Sequence, residues 1–130
     1  MAVILHLHVS RKPGLSFNDF REHHENTHIP LMKTMSGALF PLSHIRRYIV
    51  RSPDKEAPIH LVSGSPEAFS YDAIAELTYK DVQHFQAHSA WLQDVETRGV
   101  VGEDCAEFMD VAGAGMCCGI VDNSHMYMVW

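Results

Sequence analysis

The chain has 130 residues, of which 46% are hydrophobic and 20% are charged. These values are typical of an ordinary soluble domain, so we expect one domain over residues 1–130. Ten Lys and Arg residues stand against sixteen Asp and Glu residues, which gives a formal net charge of −6. This balance, without any basic stripe, argues against a nucleic-acid or anionic-membrane partner.

Features that would direct the chain to a membrane or an oxidising compartment are missing from the sequence. No apolar stretch approaches the roughly 20 residues of a membrane-spanning helix. Met1 leads directly into a strand-like segment without a basic leader, so we expect no signal peptide. Three cysteines, at positions 105, 117 and 118, cannot form an even disulfide framework, and we expect them to be buried small apolar residues. A cytoplasmic, reducing setting is therefore expected.

The first third of the chain predicts a strand followed by a helix. Hydrophobic residues alternate over residues 2–10, which is typical of a strand. An Arg-Lys-Pro-Gly turn follows, and Ser16 is placed to cap a helix. The helix has a stripe of residues at helical spacing: Phe17, Phe20, His24, His28, Leu31 and Met35. We expect Pro30 to end or kink this helix near Ile29.

The rest of the chain predicts three more strands and a second helix. The strands are expected at residues 44–51, 71–79 and 116–121. The helix is expected from residue 82 to about residue 97, with Asp81 as its cap and Gly99 as its stop. Residues 52–66 are typical of a loop, and residues 103–109 fit either a helical turn or an extended segment. The apolar tail at residues 127–130 is unlikely to be free in water.

The order strand, helix, strand, strand, helix, strand is that of the split βαβ arrangement. It predicts an α+β, ferredoxin-like fold, in which a four-stranded antiparallel sheet carries two helices on one face. The other face then has no cover within the chain. We therefore expect a homodimer in which two sheets face each other, a dimeric α+β barrel.

Three segments in the first half of the chain form a pattern with a defined order: residues 9–16 (VSRKPGLS), Phe20-Arg21 and residues 25–31 (ENTHIPL). The pattern resembles the EthD family of the dimeric α+β barrel superfamily, whose first strand, R-K-P-G turn and H-x-P-L helix end have this spacing. Arg47-Tyr48 and residues 71–77 resemble the family's second and third strands. Ala73 replaces the family's usual Gly, and the likeness is weaker after Gly99.

The resemblance also implies an activity. Short EthD-like proteins are similar to fungal polyketide-tailoring enzymes, in particular to decarboxylases of atrochrysone-type anthracene carboxylic acids. A β-keto acid of this kind loses carbon dioxide once its carbonyl is protonated or hydrogen-bonded, so no metal or organic cofactor is expected. The protein must hold the aromatic substrate, donate to the developing enolate and return a proton to carbon.

Histidine and tyrosine side chains are the groups suited to this chemistry, and ten histidines are unusually many for this length. We interpret four residues as catalytic candidates: His28, His84, His88 and Tyr48. His28 comes first, because it belongs to the motif and shares its stripe with phenylalanines, although it could instead cap the helix end. His84 and His88 are one helical turn apart, so they lie on one face of the second helix.

A further set of residues could bind the substrate through rings and polar groups: His6, His8, Tyr71, Glu76, Phe20, Phe40, Phe85 and Trp91. His6 and His8 share one face of the first strand, but alternation does not say which face this is. The aromatic residues fit core packing equally well. Glu76 fits either a buried base or a residue that points to solvent.

Other functions stay open at this point. The His84/His88 pair lacks the Glu of an H-E-x-x-H zinc motif, and no phosphate-binding glycine loop is present, so we expect neither a metal nor a nucleotide. The same fold could support a cofactor-free anthrone oxygenase, or a dehydratase or cyclase of a related polyketide. A non-catalytic binding module is the alternative from a different class.

Overall fold

The structure, a computed structural model, describes residues 1–50, 61–113 and 115–121. Its centre is a four-stranded antiparallel sheet with the strand order β2-β3-β1-β4. The strands are β1 (Val3–Val9), β2 (Ser43–Tyr48), β3 (Ala73–Tyr79) and β4 (Met116–Val121). The predicted ferredoxin-like α+β fold is confirmed, and all four strands overlap their predicted ranges, although β2 ends at Tyr48 and not near residue 51.

Helices cover one face of this sheet, and each of the two predicted helices is divided. The segments are α1 (Phe17–His23), a π-helix (His24–His28), α2 (Ile29–Ser36), α3 (Val82–Gln93) and α4 (Val95–Phe108). Short 3-10 helices lie at Gly37–Leu39 and Pro66–Phe69. Ser16 caps α1 as predicted, because its hydroxyl accepts a hydrogen bond from the Asp19 backbone N–H at 3.1 Å.

Pro30 does not end the helical run, but the π-helix gives way to α2 at Ile29, the residue near which an end or a kink was predicted. The backbone N–H of Ile29 donates to the carbonyl of His24, five residues back, which is the π-helical pattern. Pro30 then lies in the first turn of α2, where a missing backbone N–H costs little. The wider turn therefore carries the helix past the proline and keeps both His24 and His28 buried.

The second helix was predicted with the wrong end. It begins as expected, since Asp81 accepts a hydrogen bond from the His84 backbone N–H at 2.8 Å. It breaks at Asp94, whose backbone is extended and whose carboxylate accepts from the Thr97 N–H at 3.2 Å. This second cap starts α4, which runs through Gly99 and takes up most of the segment that the sequence left ambiguous.

The core lies between the helices and one face of the sheet. The first cluster contains Val9, Phe20, Ala73, Phe108 and Met109, and the second contains Leu7, Ala75, Leu77 and Tyr79. Because side chains alternate along a strand, His6 and His8 lie on the opposite, helix-free face. The structure thus decides the face that the sequence left open.

Several predicted segments lie outside the described residues. These are Arg51, most of the predicted 52–66 loop, and the tail at residues 127–130. Residues 61–65 form a loop before the 3-10 helix. No helix in the described ranges is long and apolar enough to cross a membrane.

Candidate functional site

A buried hydrogen-bonded chain connects the π-helix to strand β2. The Tyr48 hydroxyl lies 3.0 Å from His24 Nδ1 and donates to Glu25 Oε2 at 2.5 Å. Tyr48 points toward the helices because its register partner on the neighbouring strand is Ala73, which belongs to the core on that face. We call His24, Tyr48 and Glu25 the relay.

Arg46 fixes the acidic end of the relay. Two residues before Tyr48, it lies on the same face of β2. Its Nε and Nη2 donate to the two oxygens of Glu25 at 2.5 and 3.1 Å. Partial burial acts to raise the pKa of Glu25, but the hydrogen bonds from Arg46 and Tyr48 outweigh it, and the pKa is lowered. Glu25 is therefore an ionised acceptor at neutral pH.

The charge of Glu25 determines the direction of the other hydrogen bonds. Burial, followed by the hydrogen bond to Glu25, raises the pKa of Tyr48, so the phenol keeps its proton and donates it to Glu25. The phenol oxygen must then accept from His24 Nδ1–H. Burial, followed by the nearby His28, lowers the pKa of His24 to about 3. His24 is thus neutral and keeps a lone pair on Nε2.

His44 is held in the opposite tautomer. Arg46 Nη1 donates to His44 Nδ1 at 2.9 Å, so the ring proton must lie on Nε2. Burial, followed by the charge of Arg46, lowers the pKa of His44 to about 4. The ring is therefore a neutral hydrogen-bond donor at Nε2.

Helix α4 supplies a second anchor, for His28. Asp104 accepts from His28 Nδ1 at 2.7 Å and from His23 Nε2 at 2.9 Å. Burial lowers the pKa of His28, while the hydrogen bond and charge of Asp104 oppose this effect. Asp104 contacts His28 directly, whereas Glu25 reaches His24 only through Tyr48. The two imidazoles therefore differ in how readily they accept a proton.

The two rings share one apolar setting but leave their Nε2 atoms unbonded. Their centroids are 5.8 Å apart, and the fully buried Phe108 ring lies 5.3 Å from His24 and 4.9 Å from His28. No group in the described residues hydrogen-bonds either Nε2. Among those residues, His88 Nε2 is the one fully buried side-chain polar atom without a partner. The Nε2 atoms of His24 and His28 therefore border space that solvent or a ligand can occupy.

A cavity of about 300 Å³ lies beside the relay, because it is lined by Arg46, which binds Glu25, and by His44, which binds Arg46. Its apolar wall is formed by Ile29, Phe40, Pro41 and Leu42, and Lys33 completes the lining. The Phe40 and His44 rings are nearly parallel, with centroids 5.9 Å apart and an interplanar angle of 12°. A volume near the lower end of ligand pockets, with stacked rings in its wall, suits a small planar molecule.

The EthD domain matches residues 12–112, more than half of the chain. The chain belongs to the EthD domain family. The match extends past Gly99 through α4, where the sequence had shown only a weak likeness. No curated protein is similar enough in sequence to count as a relative.

Solved structures with the same fold include two EthD proteins. An EthD family protein of Bacillus halodurans is 23% identical, with a TM-score of 0.56 and coverage of 95% of this chain and 99% of its own. An EthD-like protein of Ralstonia eutropha is 12% identical, with a TM-score of 0.61 and coverage of 97% and 95%. A dimeric protein of unknown function and ferredoxin-like fold from Bacteroides fragilis is 6% identical, with a TM-score of 0.52 and coverage of 93% and 95%. These likenesses show the fold alone.

Within this EthD chain, two of the four catalytic candidates lie at the same site. His28 and Tyr48 each lie next to His24. His84 lies elsewhere, and both of its ring nitrogens are used by backbone groups. Nδ1 accepts from the Lys80 N–H at 3.0 Å, and Nε2 donates to the Leu39 carbonyl at 3.1 Å. The structure therefore gives His84 a structural position, contrary to the prediction that it lies with His28.

His88 is also separate from the relay and the cavity of this EthD chain, because it packs into the core between α3 and β3. It is 3% exposed, and its Nδ1 and the Tyr79 hydroxyl are hydrogen-bonded at 2.7 Å. Trp91 stacks on the His88 ring, and Phe85 contacts Tyr79 edge-on. These two aromatic residues were predicted to bind substrate, but they belong to this core and not to the cavity lining.

The remaining substrate-binding candidates divide between the two sheet faces. Phe20 contacts His24 and Phe40 lines the cavity. The other four lie on or beside the helix-free face: His6, His8, Tyr71 and Glu76. There the Nε2 atoms of His6 and His8 are 3.2 Å apart, and His8 stacks on Tyr71. The sheet separates this group from the relay.

Sequence reasoning missed five site residues: His24, Glu25, His44, Arg46 and Asp104. His24 was on the predicted stripe, and alternation would have placed Arg46 and His44 beside Tyr48 on one strand face. Asp104 gave no such signal, because its segment was ambiguous and lies 76 residues from His28.

The cysteines were predicted to be buried, which is wrong for two of them. Cys117 and Cys118 are exposed on the edge strand β4. Cys105 is half-buried, and burial raises the pKa of its thiol to about 11. Across the described ranges, no three His, Cys, Asp or Glu side chains converge in a way that could hold a metal ion.

Proposed function

We propose that this chain is a cofactor-independent decarboxylase of an aromatic polyketide carboxylic acid of the anthrone type, as its resemblance to atrochrysone carboxylic acid decarboxylases implies. One observation carries the proposal. Two buried, neutral imidazoles leave their Nε2 atoms unbonded: His24, whose Nδ1 binds the Tyr48 phenol, and His28, whose Nδ1 binds Asp104. Ile29, the residue after His28, and Arg46, which binds Glu25, line a cavity next to this pair.

The different anchors support different roles in proton transfer. Asp104 supports the protonated form of His28, so His28 is the residue that delivers a proton to carbon. His24 has a pKa of about 3 because of its burial, and it stays neutral. Its Nε2 is an acceptor for a hydroxyl group of the substrate. The relay holds that tautomer in place through Tyr48.

His44 supplies the donor that the developing negative charge needs. During decarboxylation the bond between the ring carbon and the carboxyl carbon breaks, and its electron pair moves toward the neighbouring carbonyl as carbon dioxide leaves. His44 lines the cavity, and its free Nε2–H is the donor assigned here to that enolate oxygen. His28, protonated at Nε2 by solvent before this step, then transfers that proton to the ring carbon and returns to its neutral form.

We also propose that residues 1–130 form one domain that pairs with a second copy through the helix-free sheet faces. Ile45, Glu76 and His6 lie side by side across that face, and no described helix covers them. A second sheet would cover this surface. The proposal predicts a dimer in solution, which light scattering can measure.

The decisive experiment is to incubate the purified full chain with an anthracene-type β-keto acid and to follow the products by mass spectrometry. We expect loss of carbon dioxide faster than in the enzyme-free control, without oxygen consumption. Retention of the acid at the enzyme-free rate would contradict the proposal. Oxygen uptake would indicate an oxygenase instead, and loss of water would indicate a dehydratase or cyclase.

A further inference from the structure

We infer that the cavity selects planar aromatic ligands that carry an anionic group, and that Lys33 is the side chain that recognises the charge. The inference deepens the proposed function and rests on it in one respect, namely that the ligand of this cavity is the substrate. The recognition itself depends only on the lining residues and their charges.

The shape of the ligand follows from the apolar part of the wall. Phe40 and His44 are stacked within 12° of parallel, and Pro41 and Leu42 continue the same segment. Aromatic and apolar side chains of this kind favour contact with a flat aromatic ring.

The charge of the ligand follows from the cations in the lining. Arg46 lines the cavity, but both oxygens of Glu25 already bind its guanidinium group, so the pair contributes no net charge. The His44 ring accepts a hydrogen bond from Arg46 and is not a cation. Lys33 also lines the cavity, and no residue in the described ranges forms an ion pair with it.

The cavity therefore has one unneutralised positive charge, on a chain with a formal net charge of −6. The positive charge of Lys33 attracts an anionic group on the ligand, whereas the net negative charge of the protein repels such a group elsewhere. Lys33 is exposed and lines the cavity, so a ligand can place its acid group beside Lys33 while its rings contact the apolar part of the lining. A decarboxylated product lacks that group and binds more weakly.

The test compares two stable probes, anthraquinone-2-carboxylate and its neutral carboxamide, by isothermal titration calorimetry on the full chain. We expect the wild type to bind the carboxylate about tenfold more tightly, the size of one charge-assisted hydrogen bond. Lys33→Gln should bring the ratio of the two dissociation constants close to one. Lys12→Gln removes the same charge from the exposed turn after β1 and should keep the ratio.

Circular dichroism of the three proteins checks that each variant is folded. Equal binding of the two probes to the wild type, no binding of either, or an unchanged ratio in Lys33→Gln would overturn the inference. Neither probe can be decarboxylated as a β-keto acid, so these results are independent of turnover. Charge selectivity without any decarboxylation of the anthracene acid would leave this inference standing and remove the proposed function.

Discussion

Two histidine pairs in this chain have the same spacing and different surroundings. His24 and His28 are four residues apart in the first helical region, and His84 and His88 are four residues apart in the second. The first pair lies in a π-helix, where His24 binds Tyr48 of β2, His28 binds Asp104 of α4, and no described residue binds either Nε2 atom. In the second pair, His84 binds backbone groups and His88 is packed among aromatic rings.

The comparison shows that spacing alone does not identify a proton-transfer site. Four-residue spacing places two side chains on one helix face, and this holds for both pairs. What differs is the surroundings of the ring nitrogens. His24 and His28 each keep an Nε2 atom that no described residue hydrogen-bonds and that is not fully buried, whereas His84 binds backbone groups at both nitrogens. His88 binds the Tyr79 phenol at Nδ1, but its Nε2 is fully buried, so a substrate cannot reach it.

The largest expected effect separates the two pairs directly. His28→Ala should lower turnover of the aromatic acid by about 10² or more, because a general acid contributes this much. His84→Ala should leave turnover of the folded protein close to that of the wild type. It should lower the free energy of unfolding by about 1–3 kcal/mol, because the Lys80 N–H and the Leu39 carbonyl lose their partner. Steady-state kinetics and urea denaturation measure the two effects, and the reverse pattern would contradict the comparison.

A smaller effect is expected when the relay is broken. Tyr48→Phe leaves Glu25 without one donor and leaves His24 Nδ1–H without its acceptor. Turnover should fall about tenfold, since the loss of one buried hydrogen bond costs roughly 1–3 kcal/mol. Tyr71→Phe makes the same chemical change beside the opposite sheet face and serves as the matched control. Equal turnover in the two variants would show that the relay does not position His24.

Asp104 should control the pH dependence. It opposes the lowering of the His28 pKa by burial, so Asp104→Asn should lower that pKa further. If protonated His28 is the acid, activity is lost as pH rises through the His28 pKa. This loss should therefore occur at a lower pH in Asp104→Asn. Glu103→Gln, the neighbouring exposed carboxylate, should keep the wild-type profile of kcat against pH, and a shift of the same size in both variants would count against a specific role of Asp104.

The smallest effect concerns stability. Burial lowers the pKa of His88 to about 4, whereas a histidine in an unfolded chain titrates near 6.5. Below about pH 6.5 the unfolded state takes up a proton that the folded state refuses, so stability falls as pH decreases toward about 4. The His88 contribution reaches about 1.4 kcal/mol for each pH unit in this window. His88→Leu should therefore lose less stability between pH 7 and pH 5 than the wild type, as urea denaturation at the two values can show.

The strands and caps could be predicted because their causes are local. Alternation over residues 2–10 places β1 and its two faces, and the short polar side chains of Ser16 and Asp81 cap the helices that follow them. The break at Asp94 was also a local capping event, but the hydrophobic stripe continued across it and concealed it. Gly99 then lay within α4, because tertiary packing outweighed its weak helix propensity.

The site could be predicted only in part, because its geometry depends on contacts between distant segments. His28 and Tyr48 were found from the family motif and the strand pattern. The π-helix at His24–His28 comes just before Pro30, where the sequence predicted only an end or a kink. Asp104 reaches His28 across 76 residues of chain. The sequence therefore supplied candidates for proton transfer, whereas the anchors that distinguish them required the fold.

The most direct test of the central claim is a two-bond ¹H–¹⁵N correlation spectrum of the histidine rings, recorded through a pH titration. The account predicts that His24 and His28 are neutral at pH 7 with the proton on Nδ1, and that His24 does not titrate until the pH approaches about 3. Protons on Nε2 at pH 7, or titration of His24 near 6.5, would contradict it.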